Sequence, residues 1–430
     1  MKTRTTLILS LTIIITFAAG SAFGKYSGGT GEPNNPYQIA TKADLLVLAA
    51  DANDYGKCFI LTADINMEGQ VFTTAIIAPD INLMTSGFQG TPFTGTFDGN
   101  DYKITHFIIN GGTKNYIALF GEIASFDASV KNLGIENFTV SGNDYVGGLV
   151  GANYFGSINN CYSMGNINIS DSSESQHIGG LVGYNNGYIT NCHSMDTINC
   201  ASDSYTIGTG VLVGTNGYDG HINDCYSTGT VNCDIYGGQG DRYMGGLVGW
   251  NYYGNISNCY SMGTMNGYSY VGGLVGYNYH GNISQCYSMT AVSGGLYVGG
   301  LVGYKYYGSI SNCYSTGTVS GFSYVGGLAG RSDGGNVISN SFWDTQTSGR
   351  TTSEGGTGKT TSEMKTLSTF TSANWEFVDA WGIGNGQTYP YLKPFNGINP
   401  ADLNYSGTVD MRDFAILAEH WLEGNEIAPY

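Results

Sequence analysis

Apolar residues in the middle of the chain occur in short runs that are separated by glycine. Residues 297–323 read YVGGLVGYKYYGSISNCYSTGTVSGFS, which contains β-branched and aromatic residues in groups of two to four. No run shows the three-and-four spacing of a helix over ten residues, and this segment contains no proline. Such runs, punctuated by glycine, predict short β-strands joined by tight turns.

This pattern recurs along the chain. The segment GGLVG, or a close variant, begins at Gly147, Gly179, Gly210, Gly245, Gly272, Gly299 and Gly326. The intervals are 32, 31, 35, 27, 27 and 27 residues. Because a period in this range is typical of stacked repeats, the sequence predicts an all-β protein. With two or three strands in each coil, the expected fold is a parallel β-helix, or β-solenoid, with coils ~4.8 Å apart.

Aligning the repeats places like residues in columns. One position holds Cys161, Cys192, Cys225, Cys259, Cys286 and Cys313, and the residue before it is Asn160, Asn191, Asp224, Asn258, Gln285, Asn312 and, in the last repeat, Asn340. Asparagine tolerates a left-handed backbone, so a bend is predicted there that turns both Ile310 and Cys313 inward. A second column, broken by Lys305, predicts stacked amides at a corner. Its members are Asn153, Asn185, Asn216, Asn251 and Asn278.

The nine cysteines allow several interpretations. Thiols stacked in parallel have poor geometry for disulfides, and the Cys-x₂-Cys spacing of zinc sites is absent. We expect the column to be buried free thiols, with disulfides and a metal ladder as the alternatives. Cys200 and Cys233 each follow a column cysteine by eight residues and are the most plausible disulfide.

Aromatic residues form further columns. One follows the cysteines and comprises Tyr162, His193, Tyr226, Tyr260, Tyr287, Tyr314 and Phe342. A second set lies near the turns and comprises Trp250, Tyr252, Tyr253, Tyr277, Tyr279, Tyr304, Tyr306 and Tyr307. The rings either pack on one another or, where exposed, stack on sugar rings. Tyr260, Tyr287 and Tyr314 are the candidate glycan-binding residues.

Composition narrows the functional classes. Glycine contributes 67 of 430 residues without a three-residue period, which excludes collagen. The net charge of −17 argues against a nucleic-acid partner, because phosphate binding needs cations. The carboxylates of the repeats share no position, so no catalytic residue is predicted. The alternative is a glycoside hydrolase or polysaccharide lyase of the parallel β-helix type, with scattered site residues.

The two ends of the chain have their own patterns. Lys2 and Arg4 precede an apolar run over residues 7–19, which predicts a signal peptide over residues 1–24, export, and no membrane span in the mature chain. Between the ends we expect an N-terminal cap with the first β-coils over residues 25–140, the solenoid over 141–345, and a C-terminal cap over 346–398. A small module follows over 399–424.

That last module has the spacing of an EF-hand-type loop. Side-chain oxygens of Asp402, Asn404, Ser406, Asp410 and Asp413 fall at loop positions 1, 3, 5, 9 and 12, and Thr408 offers its carbonyl at position 7. A glycine occupies position 6, where such loops turn sharply. This spacing predicts a calcium site that leads into one amphipathic helix.

Two resemblances support these expectations. The repeat unit resembles the GLUG motif, a repeat of secreted and surface-exposed bacterial proteins, over about residues 141–345. The resemblance implies an adhesin-like protein and no catalytic activity of the repeat itself. The stretch DLNYSGTVDMRDFAILAEHWL resembles one repeat of a type I dockerin, which implies a cohesin-like or cell-surface anchor for residues 399–424.

The expected function is therefore that of an exported, non-catalytic repeat protein. It would act in surface display, adhesion, or binding of a glycan or protein outside a bacterial cell. Extracellular polysaccharide is the expected ligand class, and a calcium-dependent tail would supply attachment.

Overall fold

The chain folds as a parallel β-solenoid. The structure, a computed structural model, describes residues 24–81, 87–169, 176–200, 208–233, 242–335 and 337–393. One regular coil contains five short strands, which are Ser269–Gly272, Val275–Tyr279, Asn282–Ser284, Tyr287–Ser288 and Ala291–Ser293. Each of the five pairs in parallel with its equivalent one coil later. The predicted all-β class and the parallel stacking are confirmed.

The strands of successive coils build three parallel sheets. The first sheet has 17 strands and collects the second and third strands of each coil. They are Tyr37–Ile39, Cys58–Leu61, Thr96–Asp98, Phe120–Ala124, Ser129–Lys131, Val150–Asn159, Val182–Thr190, Val213–Asn216, His221–Asn223, Val248–Tyr252, Asn255–Ser257, Val275–Tyr279, Asn282–Ser284, Val302–Tyr306, Ser309–Ser311, Ala329–Asp333 and Ile338–Ser339.

The second sheet has 18 strands and collects the fourth and fifth strands of each coil. They are Ile65–Asn66, Val71–Phe72, Lys103–Thr105, Ile108–Asn110, Gly134–Gly142, Tyr162–Ile169, His193–Ser194, Thr197–Cys200, Tyr226–Ser227, Thr230–Asn232, Tyr260–Ser261, Thr264–Asn266, Tyr287–Ser288, Ala291–Ser293, Tyr314–Ser315, Val319–Ser320, Phe342–Asp344 and Thr357–Lys359. The third sheet contains the first strands, which are His177–Gly179, Gly208–Gly210, Tyr243–Gly245, Ser269–Gly272, Leu296–Gly299 and Ser323–Gly326.

Helices and one antiparallel pair lie outside the regular coils. The helix Lys42–Ala50 begins at a capping box between Thr41 and Asp44, and the 3₁₀ turn Ala52–Asp54 follows it. Near the other end are helices Thr361–Met364 and Leu367–Thr371 and the paired strands Trp381–Gly382 and Tyr391–Leu392. Their buried side chains, Met364, Phe370, Trp375 and Trp381, cover the aromatic end of the second sheet.

The cysteine column lies in the core, as predicted. All six thiols are free and buried. The Sγ of Cys192 accepts a hydrogen bond from the backbone N–H of Cys161 at 3.4 Å, and Cys286 accepts one from Cys259 at the same distance. The thiols therefore act as small core side chains that also satisfy backbone donors between coils.

The predicted left-handed bend precedes each thiol. All seven residues of that column have φ between 48° and 55°. Five of them are asparagine, one is aspartate and one is glutamine. In the last repeat, Asn340 precedes a serine instead of a cysteine. Because the bend resets the strand alternation, Ile310 and Cys313 are both fully buried.

The asparagine column forms a continuous hydrogen-bonded ladder. Asn153 donates to Asn185 at 2.8 Å, Asn185 to Asn216 at 2.9 Å, Asn216 to Asn251 at 2.9 Å and Asn251 to Asn278 at 2.7 Å. Each amide also donates to a glycine carbonyl in its own corner. Separately, Cys200 and Cys233 form a disulfide with their Cα atoms 4.9 Å apart.

Candidate binding surface

The aromatic column that follows the cysteines forms a continuous stack of parallel rings. From Tyr162 to Tyr314 the neighbouring ring centroids are 4.6 to 5.1 Å apart, and the ring planes are parallel within 6°. Trp381 of the C-terminal cap lies 6.1 Å from the rings of both Tyr287 and Tyr314. The Tyr314 hydroxyl donates to the carbonyl of Pro390.

This packing corrects the glycan assignment for two of the three predicted residues. Tyr287 and Tyr314 are only 7% and 1% exposed, because the cap covers them. They are packing residues, and a sugar ring has no access to their faces. Tyr260 lies at the margin of the cap and remains half-buried.

The six predicted calcium ligands, Asp402 to Asp413, lie outside the described residues, as does most of the predicted signal peptide. Across the described part of the chain, no group of three or more His, Cys, Asp or Glu side chains is arranged to hold a metal ion. Nor does any helix in that part have the length and apolar character needed to cross a membrane.

The second aromatic set on the first sheet, together with His280 and a tyrosine column on the adjacent third sheet, forms a surface that we call the aromatic face. It spans the regular coils in adjacent columns. The columns are Tyr243, Tyr270, Tyr297 and Tyr324; Trp250, Tyr277 and Tyr304; Tyr252, Tyr279 and Tyr306; and Tyr253, His280 and Tyr307. Tyr252, Tyr307 and Tyr324 are 36%, 37% and 49% exposed. Strand pairing fixes two of the columns, since Trp250 aligns with Tyr277 and Tyr304, and Tyr252 aligns with Tyr279 and Tyr306.

Ring geometry decides what this face offers to solvent. The centroids of Tyr252 and Tyr279 are 5.4 Å apart with planes 9° from parallel, and those of Tyr277 and Tyr304 are 5.1 Å apart at 11°. Parallel rings at such distances must overlap face to face, because coplanar rings would interpenetrate. In these two columns the ring faces are therefore covered by neighbouring rings, and ring edges and hydroxyl groups remain for a ligand.

A charged group borders the aromatic face in the last coil. The Arg331 guanidinium lies 5.2 to 5.7 Å from the ring centroids of Tyr297, Tyr304 and Tyr324. Its Nε is 2.6 Å from the carboxylate of Asp333. A hydrogen bond from the Tyr304 hydroxyl and the pairing with Arg331 hold the pKa of Asp333 below its usual value. The aromatic columns thus end at an ion pair.

One interacting pair of carboxyl groups was not found from the sequence. Asp80 and Glu122 are 7% and 8% exposed. Burial, followed by the negative charge of Asp80, raises the pKa of Glu122 to about 7. Both residues belong to the irregular N-terminal coils, where no repeat spacing relates them. In the first sheet, Glu122 pairs with Ala152 of the next coil.

Comparison with known proteins confirms the repeat. The model of the GLUG motif matches residues 142–168, 205–232, 240–265, 267–288 and 294–320. The chain is 32% identical over 156 residues to halomucin of Haloquadratum walsbyi, which covers 36% of this chain and 2% of that protein. It is 36% identical over 136 residues to a "Putative Gly-rich membrane protein" of Evansella cellulosilytica, covering 30% of this chain and 14% of that protein.

One solved structure is similar in outline. It is described as a "putative immunoglobulin A1 protease from Bacteroides ovatus", and the match covers 86% of this chain and 96% of that one, with 20% identity and a TM-score of 0.41. A likeness at this level carries no argument about activity. The matched segments are small parts of the two sequence relatives. The chain is thus a β-solenoid repeat protein that carries GLUG motifs.

Proposed function

We propose that the chain is an exported, non-catalytic binding protein that presents the aromatic face at a cell surface or in a secreted assembly. The observation that carries this proposal is the set of adjacent tyrosine columns on two neighbouring sheets of the solenoid, partly exposed and ending at Arg331. Tyrosine combines an apolar ring with a hydroxyl group and is enriched at binding surfaces. A regular row of such groups favours an extended ligand, such as a polysaccharide or a surface protein.

Attachment is proposed to depend on calcium. The side chains of Asp402, Asn404, Ser406, Asp410 and Asp413, with the Thr408 carbonyl, would hold Ca²⁺. The ordered module over residues 399–424 would then dock on a cohesin-like or other cell-surface anchor. What supports this step is the ligand spacing and the dockerin resemblance. Export would follow from the signal peptide over residues 1–24.

The test measures binding of the purified chain to a panel of polysaccharides and to bacterial cell surfaces, with Ca²⁺ or with a chelator. Replacing Tyr252, Tyr279 and Tyr306 with alanine should weaken ligand binding at least roughly tenfold, with or without Ca²⁺. Attachment through the tail should instead disappear with the chelator.

A matched control exists for this experiment. Tyr268 is 36% exposed, as is Tyr252, but it lies in the turn before the third-sheet strand Ser269–Gly272. Tyr268→Ala should therefore leave binding unchanged. Equal binding by the triple variant and the wild type, with unchanged circular dichroism, would remove the aromatic face from the proposal.

The rival function is polysaccharide cleavage, which the Asp80 and Glu122 pair favours. A glycosidase needs one protonated and one ionised carboxyl group, and the raised pKa of Glu122 would allow that division of roles. However, both groups are more than nine-tenths buried, so a sugar chain does not reach them in this conformation. Release of reducing ends or of unsaturated uronates, abolished by Glu122→Gln, would establish the enzyme.

A further inference from the structure

The corner between the second and third strands of each coil varies in length. In the regular coils, three residues separate the ladder asparagine from the third strand, as in Asn278 to Asn282. Earlier in the chain, the strand pairing aligns Asn153, Asn185 and Asn216 before the corner. It aligns Ser157, Tyr188 and His221 after the corner. There the equivalent corners contain three, then two, then four residues, and the first two lie inside the continuous strands Val150–Asn159 and Val182–Thr190.

The short corner removes the position that carries an aromatic ring elsewhere. It consists of Asn186 and Gly187, whereas the regular corners have two aromatic residues before their glycine. A Cβ on Gly187 would lie 2.4 Å from the carbonyl oxygen of Gly156, so this position excludes a side chain. The long corner contacts the short one, since the N–H of Asp219 donates to the Asn186 side chain at 2.9 Å.

A surface cleft of about 240 Å³ lies at this gap, and we call it the corner cleft. Its lining comprises Phe126, Phe155, Asn186, Gly187, Tyr188, Asp219 and His221. On one side Phe126 and Phe155 pack with centroids 4.8 Å apart, and on the other Tyr188 and His221 stack at 5.0 Å with planes 5° from parallel.

Ring faces are open here, in contrast to the aromatic face. The residue that aligns with Tyr188 in the preceding coil is Ser157, which has no ring to cover it. Likewise, the two-residue corner supplies no ring to continue the column beyond Phe155. Phe126, Phe155 and Tyr188 are accordingly 79%, 38% and 51% exposed.

The chemistry of the lining selects a class of ligand. Aromatic faces bind the C–H face of a sugar ring, and the carboxylate of Asp219 with the amide of Asn186 can bond to its hydroxyl groups. Among the described residues, no lysine or arginine side chain lines the cleft, and the chain carries a net charge of −17. An anionic sugar would therefore be repelled, whereas a neutral one would not.

We propose that the corner cleft binds one neutral pyranose ring of a glycan, stacked on Phe155 or Tyr188 and hydrogen-bonded by Asp219. The proposal rests on the proposed function and names the ligand class of a site next to the aromatic face. The broken repeat opens the site, since a third corner residue would bring an aromatic ring into the gap.

The experiment is saturation-transfer NMR on the full chain with the methyl β-pyranosides of glucose and galactose and the methyl α-pyranoside of mannose. At least one should receive transfer, with a Kd near about 1 mM, as expected for a single ring. Glucuronic acid should receive less. No transfer to any of the three neutral glycosides would overturn the proposal, as would stronger binding of glucuronic acid.

Two variants locate the binding. Phe155→Ala combined with Tyr188→Ala removes both candidate stacking rings and should weaken binding at least roughly tenfold. Phe322→Ala is the matched control, because Phe322 is 80% exposed and lies far along the chain in another corner. Replacing Asn186–Gly187 by Tyr-Tyr-Gly should abolish binding while keeping every ring of the wild type. Binding that survives both cleft variants would contradict the proposal.

The outcome separates this inference from the proposed function. If the cleft variants keep polysaccharide binding and the Tyr252, Tyr279 and Tyr306 variant loses it, the cleft proposal fails and the aromatic face stands. If the cleft takes a glycoside but the chain adheres to no polymer or cell surface, the cleft stands and the proposed adhesive function fails.

Discussion

The regular coils over residues 243–335 and the irregular coils over residues 146–233 have the same interior and different corners. The asparagine ladder connects the two regions, with bonds of 2.8 to 2.9 Å in the irregular part and 2.7 to 2.9 Å where it enters the regular part, and it ends at Asn278, which Lys305 follows in the column. The cysteine column and the isoleucine registers also continue without a break. The interior columns therefore set the register of the strands, and the length of the corners can vary between coils.

The difference between the two regions shows how a repeat acquires a site. Equal corner lengths align aromatic residues, which then cover one another's faces and leave a uniform surface. Corners of two and four residues break the columns and leave rings with one open face beside polar groups. A local binding site thus requires a departure from the repeat, whereas an extended surface requires its regularity.

The largest expected effect concerns the disulfide, which belongs to the irregular coils. Cys200→Ser with Cys233→Ser should lower the free energy of unfolding by about 3–4 kcal/mol, because the bond closes a loop of 33 residues in the unfolded chain. Urea denaturation measures this loss. Hydrogen exchange should then show earlier opening of residues 176–233 than of residues 243–333, since coils interact only with their neighbours.

The control for that prediction is Cys58→Ser, which removes a half-buried free thiol outside both regions. It should leave the exchange pattern of the repeats unchanged. Equal loss of protection in the regular and irregular coils would mean that the two regions unfold as one unit and do not differ in the free energy of opening.

The second prediction uses a buried charge in the irregular coils. Asp196 accepts hydrogen bonds from Ser163, Ser194 and the N–H of Gly165, at a position where two neighbouring coils have Gly229 and Gly263. Burial raises its pKa from 3.8 to about 6, so the folded state favours the protonated form. The stability that the protonated carboxyl group contributes to the folded state is fully present below pH 4 and is lost as the pH rises through 6.

The free energy of unfolding of the wild type, relative to Asp196→Asn, should therefore fall by about 3 kcal/mol between pH 4 and pH 7. Asparagine keeps an acceptor and does not titrate. Chemical denaturation at several pH values gives the difference between the two proteins. A difference that does not change with pH would show that Asp196 is ionised at no cost, against its burial.

The smallest effect tests the part that the two regions share. Asn185→Ala in the irregular coils and Asn251→Ala in the regular coils should each cost about 2 kcal/mol, because each leaves buried ladder partners unsatisfied. Equal costs in urea denaturation would confine the difference between the regions to their corners. A cost at one site that is several times that at the other would place the difference in the interior as well.

Much of the fold was predictable because its signals are local and repeated. The period gave the stacking, the polar residue before each cysteine gave the left-handed bend, and the spacing of Cys200 and Cys233 gave their pairing. The burial of Tyr287 and Tyr314 was not predictable, since the residues that cover them, Trp375 and Trp381, follow much later in the chain. Their contact depends on how the cap folds back onto the second sheet.

The sequence by itself determined which residues face inward, because the coils repeat the same alternation and place a left-handed Asn, Asp or Gln before each residue of the cysteine column. Tertiary structure alone decided which aromatic rings are open. Tyr188, Tyr252 and Tyr314 are the same residue type at different positions of three repeats, and they are 51%, 36% and 1% exposed. The physical reason is that a ring's two faces are covered or left open by residues in the next coil or in a distant cap, whose position depends on corner lengths and on long-range packing.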